Sequence, residues 1–395
     1  MADKLRISNR VQQMGTSAIH EMTRLSKEID DVAFLSWAKP TSDTPEHIKQ
    51  AAIRAIDGGL VGGYSAPLGV PPLREEIAKK LLRDNHIDAN ASQILVTVGA
   101  IEGLAAAVMT VIDPGDEVIV PSPTYATHIR QVLLASGKPV LVPSDEAKGF
   151  ALDLDGIEKA ITDKTKAIMF ATPANPTGTV FTEAQLRQVS RLALKHNLTV
   201  ITDEAYEYFV FDSNKHFSIA SIPEMKGHVI SCYTFTKTYA MTGWRVGYLH
   251  ADEALIPEIR KAHIPFAICA PVVSQYAALA ALQGPQECID EFRAKYWAAR
   301  DHMCRRLDGL SAFLDYKKPG GSYLMFPRML TGEGKRDSFS FCKKLLKEAR
   351  VSTTPGIAFG PTGEGHLRMS FCVPPSTIDK AFDRLEDYCK REAGS

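Results

Sequence analysis

The segment SCYTFTKTYAMTGWRVGY, residues 231–248, places a single lysine, Lys237, among hydroxyl side chains, with Arg245 eight residues later. A lysine amine becomes a nucleophile or a proton carrier when its pKa is lowered, and an arginine beside hydroxyl groups can bind an oxyanion. Most lysines in proteins are solvated surface charges, and this segment alone is compatible with that interpretation too. The residues at the other strand ends therefore decide between a reactive and a solvated Lys237.

A predicted helix N-terminus follows the strand-like segment QILVTVG. Gly99, Ala100 and Ile101 end the strand and open the helix, so unpaired backbone N–H groups and the positive end of the helix dipole meet there. A phosphate group suits such a place. An ordinary strand-to-helix turn has the same pattern, so both interpretations stay open on this segment alone.

Four more polar or aromatic residues come at or just after predicted strand ends. Tyr125 in PSPTYATH offers an aromatic face, and Asn175 in ANPTG offers an amide that can donate to a ligand oxygen. Asp203 in VITDEAY ends a strand, and Tyr206 follows three residues later. A packed tyrosine, a plain turn and a helix N-cap are the structural alternatives. Ligands of open α/β sheets bind beyond the carboxyl ends of the strands, which is where these residues would lie.

Short apolar runs alternate with helical patterns between about residues 92 and 250. The runs are QILVTVG, EVIVPSP, KPVLVPS, KAIMFAT, LTVITDEA, HVISCYTF and RVGYLHA. Runs so uniformly apolar are typical of strands that are covered on both faces. The pattern predicts an α/β domain in which a mostly parallel, seven-stranded sheet is flanked by helices.

The C-terminal part of the chain has a different pattern. A long charged helical stretch at 286–308 is followed by PGGSYLMFP, a helix near 337–350, GHLRMSFCVPP and a terminal helix. This α+β order predicts a second, smaller domain, because 395 residues exceed the size at which one core stops growing. The first forty or so residues are too few to fold alone. We predict a large domain, 45–284, and a small domain made of 1–44 and 285–395.

The composition argues against several classes of partner. Lys+Arg and Asp+Glu number 46 each, which gives no electrostatic reason to expect nucleic acid or an anionic membrane. The seven cysteines are scattered without C-x-x-C spacing, so neither a disulfide framework nor a metal site is predicted. The N-terminus is charged throughout, and no long apolar run follows. We expect a soluble, cytoplasmic protein with a small-molecule ligand.

In their order and spacing, these segments resemble class I of the fold-type I, pyridoxal-phosphate-dependent aminotransferases. The resemblance runs from SAIHEM and DTPEHIKQAA through GGYSAPLGVPPLREEIA, ANPTG, DEAY and TKTYAMTGWRVGY to TPGIAFGPTGEGHLRMSF. Single motifs are weak, but the ordered set is specific. The resemblance implies the two-domain fold, pyridoxal 5'-phosphate as cofactor, and the transfer of an amino group between an α-amino acid and a 2-oxo acid.

The resemblance also implies catalytic roles. Lys237 matches the lysine that binds the cofactor aldehyde covalently and then moves a proton between the substrate α-carbon and the cofactor, which requires a lowered pKa. Asp203 matches the carboxylate that keeps the cofactor ring nitrogen protonated. Tyr206 and Asn175 match the pair that hydrogen-bonds the phenolic oxygen of the ring, and Asn175 is also expected beside the substrate.

Further positions match the family's binding residues. Tyr125 matches an aromatic residue stacked on the cofactor ring, and Arg368 in GHLRMSF matches the arginine that pairs with the substrate α-carboxylate. Tyr64 in GGYSAPLG matches a tyrosine that reaches the cofactor phosphate of the neighbouring subunit, so a homodimer with shared active sites is implied. A tyrosine in a glycine-rich surface turn is the alternative for Tyr64. The residues that match the phosphate cup are Gly99, Ala100, Ile101, Thr234, Thr236 and Arg245.

Two departures from the family pattern bear on the substrate. Trp37, Ala38 and Lys39 in SWAKPTSD stand where relatives commonly have G-x-G-x-P-D, in the segment that lines the substrate. Ile101 stands where dicarboxylate-preferring relatives often have a lysine, and an unpaired carboxylate beside it would cost on the order of several kcal/mol. We expect a neutral, apolar or aromatic amino donor, with 2-oxoglutarate or pyruvate as acceptor. Aspartate is the alternative donor if Lys39 reaches inward.

Two other functions are compatible with the same fold. A lyase or oxidase that uses the same cofactor would release ammonia and a keto acid without an acceptor. A transcriptional regulator with an aminotransferase-like domain would carry a basic winged-helix module ahead of it, and only about forty residues precede the aminotransferase pattern here. The neutral charge also disfavours the regulator.

Overall fold

The apolar runs form strands in the computed structural model, which describes residues 6–393. In chain order the strands are β1 (Ala33–Phe34), β2 (Ile94–Thr97), β3 (Glu117–Ser122), β4 (Lys138–Pro143), β5 (Thr165–Ala171), β6 (Thr199–Asp203), β7 (Val229–Thr234), β8 (Gly247–Ala251), β9 (Leu314–Asp315), β10 (Leu324–Met325), β11 (Arg328–Met329), β12 (Val351–Ser352), β13 (Thr354–Pro355) and β14 (Leu367–Ser370).

The strands β2 to β8 form one central sheet in the order β2-β8-β7-β6-β5-β3-β4. Neighbouring strands are parallel except at β8, which runs antiparallel to both β2 and β7. The predicted seven-stranded, mostly parallel sheet is confirmed. Parallel neighbours need crossover connections, and helices provide them here.

The α-helices alternate with the strands of the sheet and then dominate the C-terminal third. They are α1 (Asn9–Gln12), α2 (Ala18–Ser26), α3 (Glu46–Asp57), α4 (Pro71–Asn85), α5 (Gly99–Val111), α6 (Ala126–Leu134), α7 (Leu154–Ala160), α8 (Glu183–Lys195), α9 (Phe235–Thr238), α10 (Ile256–Ala267), α11 (Val272–Gln283), α12 (Glu287–Asp308), α13 (Ser338–Ala349) and α14 (Pro375–Ala393).

Both faces of the sheet are buried, as the continuous apolar runs require. Along β5, Ala167 and Met169 pack in a cluster with α5 and α10, whereas Ile168 and Phe170 pack in a cluster with α7 and α8. Successive side chains of a strand point to opposite faces, so one strand contributes to both cores. The resulting three-layer arrangement fixes the carboxyl ends of the parallel strands at one edge.

A third hydrophobic cluster lies outside the central sheet. Side chains of α12, α13 and α14 bury Tyr296, Tyr323, Phe371 and Phe382 together with parts of the short strands. The N-terminal strand β1 pairs in parallel with β12, more than three hundred residues later in the chain. This pairing connects the N-terminal segment to the C-terminal part of the fold. The predicted domain boundaries stay a prediction, and their residues 1–5 and 394–395 lie outside the described residues.

No helix within residues 6–393 combines the length and the apolar character that crossing a membrane demands. Over the same residues, no group of three or more His, Cys, Asp or Glu side chains is arranged to hold a metal ion.

Candidate active site

A cavity of about 630 Å³ opens at the carboxyl ends of the parallel strands. The predicted site residues that line it are Trp37, Ala38, Ala100, Ile101, Tyr125, Asn175, Asp203, Tyr206, Thr234, Thr236, Lys237, Arg245 and Arg368. The fold therefore brings together residues that are spread over more than three hundred positions of the sequence. A neighbouring cavity of about 870 Å³ shares Trp37, Lys39 and Thr242 with it but is not lined by Lys237 or Asp203.

Lys237 lies on the short helix α9, directly after β7, and its side chain is largely enclosed. Its Nζ donates a hydrogen bond of 2.7 Å to the carbonyl oxygen of Ala38 and lies 5.7 Å from the ring centroids of Tyr206 and Tyr323. The pKa of Lys237 is lowered from 10.5 to about 8, chiefly by burial, and the guanidinium of Arg368 contributes to this lowering. A pKa of about 8 leaves part of the amine unprotonated near neutral pH, which a nucleophile or a base requires.

Asp203 ends β6 and is 9% exposed. Its Oδ1 accepts a hydrogen bond from the backbone N–H of Ala205 at 3.2 Å, and its Oδ2 lies 3.3 Å from Nε2 of His128. The Nδ1 of His128 lies 3.0 Å from the hydroxyl of Thr124. His128 thus connects Asp203 to a second fixed group, and this orients the carboxylate towards the cavity.

His128 is not among the site residues predicted from the sequence. It lies three residues after Tyr125 in the first turn of α6, so both residues belong to the same turn. Its position three residues after Tyr125 is the one feature of the sequence that could have indicated a role in the site. Its partner Asp203 lies 75 positions away, so the contact itself could not be predicted.

Asn175, Tyr206 and Arg368 line the same cavity. Asn175 Oδ1 accepts a hydrogen bond of 3.3 Å from Arg368 Nη1, and the ring of Tyr206 meets that of Tyr323 edge to face at 5.0 Å. Burial raises the pKa of Tyr206 well above its ordinary value, so its hydroxyl keeps its proton and can donate it in a hydrogen bond.

Arg368 on β14 is 3% exposed and has no carboxylate partner among the described residues. Its Nη2 donates to the backbone oxygen of Ser36 at 2.7 Å and to the hydroxyl of Thr354 at 3.3 Å, but its Nε has no hydrogen-bond partner within residues 6–393. A buried guanidinium that keeps a free donor and faces a cavity is suited to an anionic ligand. Burial lowers the pKa of Arg368 because it removes water from the charged guanidinium. An anion that binds in the cavity would stabilise this positive charge.

The predicted phosphate cup is assembled from three elements. Gly99 begins α5 with φ +72°, and a Cβ atom on it would lie 2.7 Å from Nη2 of Arg245. Glycine suits this position because the positive φ is strained for other residues, and because a side chain here would displace the guanidinium from the helix N-terminus. The hydroxyl of Thr234 caps α9 by accepting a hydrogen bond from the N–H of Thr236 at 3.1 Å. Backbone amides, hydroxyl groups and a guanidinium therefore line the same cavity, and together they are the donor set that a phosphate requires.

A buried ion pair anchors the segment that carries Tyr206. Both carboxylate oxygens of the next residue, Glu207, accept hydrogen bonds of 2.6 Å from Lys80 Nζ on α4. Asn85 donates to the same carboxylate at 2.7 Å, so the buried charges are hydrogen-bonded on both sides. The pairing fixes the backbone between Asp203 and Glu207 against α4.

The residues predicted at the cavity mouth are more exposed. Trp37 is 38% exposed and packs against Phe34 with ring centroids 4.9 Å apart, whereas Ile101 is 41% exposed at the start of α5. Lys39 lines both cavities. Tyr64 is 82% exposed and does not line the cavity of its own chain.

The donor set fits pyridoxal 5'-phosphate. The orphaned Nε of Arg368, the glycine cradle beside Arg245 and the enclosed amine of Lys237 provide separate places for a carboxylate, a phosphate and an aldehyde. The carboxylate of Asp203 lies on the same cavity wall and can hold a proton on a ring nitrogen.

Comparison with known proteins agrees with this chemistry. The family described as aminotransferase class I and II matches residues 31–385. The aromatic-amino-acid aminotransferase 2 of Thermococcus litoralis is 37% identical over 98% of this chain and 99% of its own length, and the aspartate aminotransferase of Pyrococcus abyssi is 37% identical over the same shares. The crystal structure of an aromatic aminotransferase from Pyrococcus horikoshii is 36% identical, covers 94% of this chain and 99% of its own, and superposes with a TM-score of 0.88.

Proposed function

Since the chain belongs to the family of class I and II aminotransferases and is a transaminase, we propose that it uses pyridoxal 5'-phosphate to move an amino group from a neutral, apolar or aromatic α-amino acid to a 2-oxo acid. The observation that carries this proposal is the position of Lys237. Its enclosed amine has a pKa of about 8 and lines the same cavity as Asp203 and Arg368. The guanidinium of Arg368 makes no ion pair with a carboxylate of the described residues.

Different residues of the cavity would bind different parts of the cofactor. The amides of Ala100 and Ile101, the hydroxyls of Thr234 and Thr236 and the guanidinium of Arg245 would hold the phosphate. Tyr125 would stack on the ring, and Tyr206 and Asn175 would donate to its phenolic oxygen. When bound, pyridoxal 5'-phosphate supplies an aldehyde and an electron-accepting ring.

The catalytic work of the chain then falls to Arg368, Lys237 and Asp203, with His128 as a positioning residue. Arg368 binds the substrate α-carboxylate and so directs the α-carbon towards Lys237. Lys237 Nζ, in its unprotonated form, would take the proton from that carbon and pass it to the cofactor, and with the 2-oxo acid it would move a proton in the opposite direction. Asp203 holds a proton on the ring nitrogen, and His128 keeps the carboxylate in position.

The substrate preference rests on the cavity wall. Ile19, Trp37, Ile101 and Leu104 line it with apolar surface that rewards an apolar or aromatic side chain. Aspartate is the second candidate donor, because Lys39 also lines the cavity and the relative from Pyrococcus abyssi is named an aspartate aminotransferase.

We further propose a homodimer in which Tyr64 completes the site of the partner subunit. The Tyr64 side chain extends from a turn that is held in place because Gln275 Nε2 donates to Ser65 Oγ at 2.9 Å. Phe266 and Ile268, just before α11, are also large apolar side chains that are about half exposed. Apolar side chains exposed on neighbouring segments are typical of a surface that another subunit covers.

The division into a large domain, 45–284, and a small domain of 1–44 and 285–395 is likewise a proposal. The pairing of β1 with β12 and the shared hydrophobic cluster of α12, α13 and α14 support it. The cytoplasmic location expected from the sequence stays a prediction.

Reduction with borohydride tests the proposed role of Lys237 directly. In the wild-type holoenzyme, the cofactor should become fixed to the peptide that contains Lys237, as measured by mass spectrometry. The variant Lys237→Ala should keep phosphate-dependent cofactor binding but lose turnover and covalent fixation, whereas the control Lys39→Ala should be labelled like the wild type. Labelling of another lysine, or turnover of Lys237→Ala within about tenfold of the wild type, would contradict the assignment.

A further inference from the structure

The cavity contains more cationic side chains than the proposed chemistry uses. Five cations, Lys39, Arg130, Lys237, Arg245 and Arg368, line it, whereas Asp203 is the only carboxylate on its wall among the described residues. The phosphate, the aldehyde and the substrate α-carboxylate account for Arg245, Lys237 and Arg368. Lys39 and Arg130 have no role in this chemistry, and Arg130 is not among the site residues predicted from the sequence.

Arg130 lies on a helix that is fixed to the active site. On α6, His128 contacts Asp203 at 3.3 Å, and Gln131 Nε2 donates to the backbone oxygen of Ile101 at 2.8 Å. Ala126, Thr127 and Arg130 form the face of the same helix that lines the cavity, as their spacing of three and four residues requires. Arg130 is therefore mounted on a rigid element rather than on a free loop.

The guanidinium of Arg130 is held but not neutralised. It is half-buried, and its Nη2 donates a hydrogen bond of 3.0 Å to the carbonyl oxygen of Gly15, which lies in the segment before α2. Within the described part of the chain, it makes no ion pair with a carboxylate. An arginine has five N–H donors in a planar fork, so one bond to a carbonyl leaves several donors for a ligand.

Lys39 is a weaker candidate for the same ligand. It is exposed and lines both the active-site cavity and the larger cavity beside it. The long, exposed side chain of Lys39 would lose more conformational entropy on binding than Arg130, which is already held by Gly15. A lysine also provides no bidentate geometry.

We propose that Arg130 is a specificity-determining residue that binds the distal carboxylate of a dicarboxylic 2-oxo acid, the acceptor in the transamination. The inference rests on the proposed function, because Arg368 must take the carboxylate next to the reacting carbon. The apolar wall around Ile101 and Trp37 receives the side chain of a neutral donor, and the Arg130 fork receives the second carboxylate of the acceptor. Because transamination is reversible, the corresponding dicarboxylic amino acid is also a substrate.

Acceptor kinetics of the holoenzyme test this assignment. The constant kcat/KM is measured for 2-oxoglutarate and for pyruvate with one neutral donor, in the wild type, Arg130→Gln, Arg130→Lys and Lys39→Gln. Arg130→Gln should lower the 2-oxoglutarate-to-pyruvate ratio of kcat/KM by about tenfold to a hundredfold, chiefly through KM, since a charge-assisted bidentate pair is lost. Arg130→Lys should fall in between, because it keeps the charge but not the fork. Arg293→Gln, an exposed arginine on α12, is the matched control for the substitution.

Binding of a non-reacting ligand provides a second measurement. Calorimetric titration with glutarate and with butyrate should show that Arg130→Gln weakens glutarate binding and leaves butyrate binding nearly unchanged. An equal loss with both acceptors, or a loss of the ratio in Lys39→Gln instead, would overturn the assignment to Arg130. Melting temperatures within a few degrees of the wild type exclude misfolding as the cause. If the wild type transaminates no donor and acceptor pair, the proposed function fails, and the glutarate titration still tests Arg130.

Discussion

The imidazole Nε2 of His128 lies 3.3 Å from Oδ2 of Asp203, and the other ring nitrogen of His128 lies 3.0 Å from the hydroxyl of Thr124. The histidine is fully buried, so this chain of contacts is shielded from water. A carboxylate that is held on one side by an imidazole and on the other by the N–H of Ala205 has little freedom to rotate. Its orientation in the cavity is therefore set before any ligand binds.

We predict that Asp203→Asn folds normally but transaminates more than about a hundredfold more slowly than the wild type. The amide has nearly the same shape, but it cannot stabilise a positive charge on a ring nitrogen. Steady-state rates and the circular dichroism spectrum check both parts. Activity within a few-fold of the wild type would mean that the carboxylate is only a cap for the turn at Ala205.

For His128, we expect a smaller effect, because it acts through Asp203. The variant His128→Gln should lower kcat by about tenfold to a hundredfold and leave KM for the amino donor within a few-fold. Combining it with Asp203→Asn should add little, since the two residues act as one unit. Fully additive losses in the double variant would show that His128 acts independently of Asp203.

The buried amine of Lys237 should make the stability of the cofactor-free protein depend on pH. Burial lowers its pKa from 10.5 to about 8, so between these values the unfolded chain binds more protons at this residue than the folded one. The contribution of Lys237 to the free energy of unfolding therefore rises with pH between about 8 and 10.5, and it is lost as the pH falls through about 8. Lys237→Met should be more stable than the wild type at pH 7, and its advantage should shrink towards pH 10.

Urea unfolding at several pH values measures this difference. Lys39→Met removes an exposed lysine beside the same cavity and serves as the control. An advantage of Lys237→Met that is the same at pH 7 and pH 10 would be incompatible with a buried, titrating amine.

The sheet and much of the site could be predicted because their signals are local. Uniformly apolar runs identify strands such as β5, and the glycine at position 99 and the aspartate at 203 mark the strand ends where ligands bind. The contacts that depend on distant packing had no such signal. The acceptor of the Lys237 hydrogen bond is the backbone oxygen of Ala38, which any residue would provide. Arg130 looked like an ordinary helix arginine because only the packing of α6 against the N-terminal segment places it at the cavity.

Subunit complementation tests the proposed dimer. Lys237→Ala and Tyr64→Ala chains are mixed under conditions that exchange subunits. In a mixed dimer, one site combines an intact Lys237 with an intact Tyr64 of the other chain. Random exchange makes about half the dimers mixed, so about a quarter of all sites should have full activity. A mixture that is no more active than the average of its two components, or a monomer in light scattering, would refute shared sites.

The choice of amino donor depends on what surrounds the substrate side chain. Ile101 is 41% exposed at the cavity mouth and Trp37 is 38% exposed, so both can cover an apolar side chain as it enters. A buried CH₂ group contributes about 0.8 kcal/mol, so a leucine or phenylalanine side chain gains several times the stabilisation available to alanine. An aspartate carboxylate would gain nothing from this wall and would need a cation, and both Arg130 and Lys39 line the cavity.

We therefore expect phenylalanine, leucine and methionine to react faster than aspartate in a half-reaction without acceptor. The measurement is the rate at which each amino acid removes the visible absorbance of the lysine-bound cofactor, compared as the rate per concentration of donor. Trp37→Ala should slow phenylalanine by about tenfold through lost apolar contact and change the aspartate rate much less. Lys39→Ala should leave the order of the neutral donors intact. If aspartate reacts at least about tenfold faster than all three neutral donors in the wild type, the apolar wall does not select the donor; a collapse of the aspartate rate in Lys39→Ala would then assign that selection to Lys39.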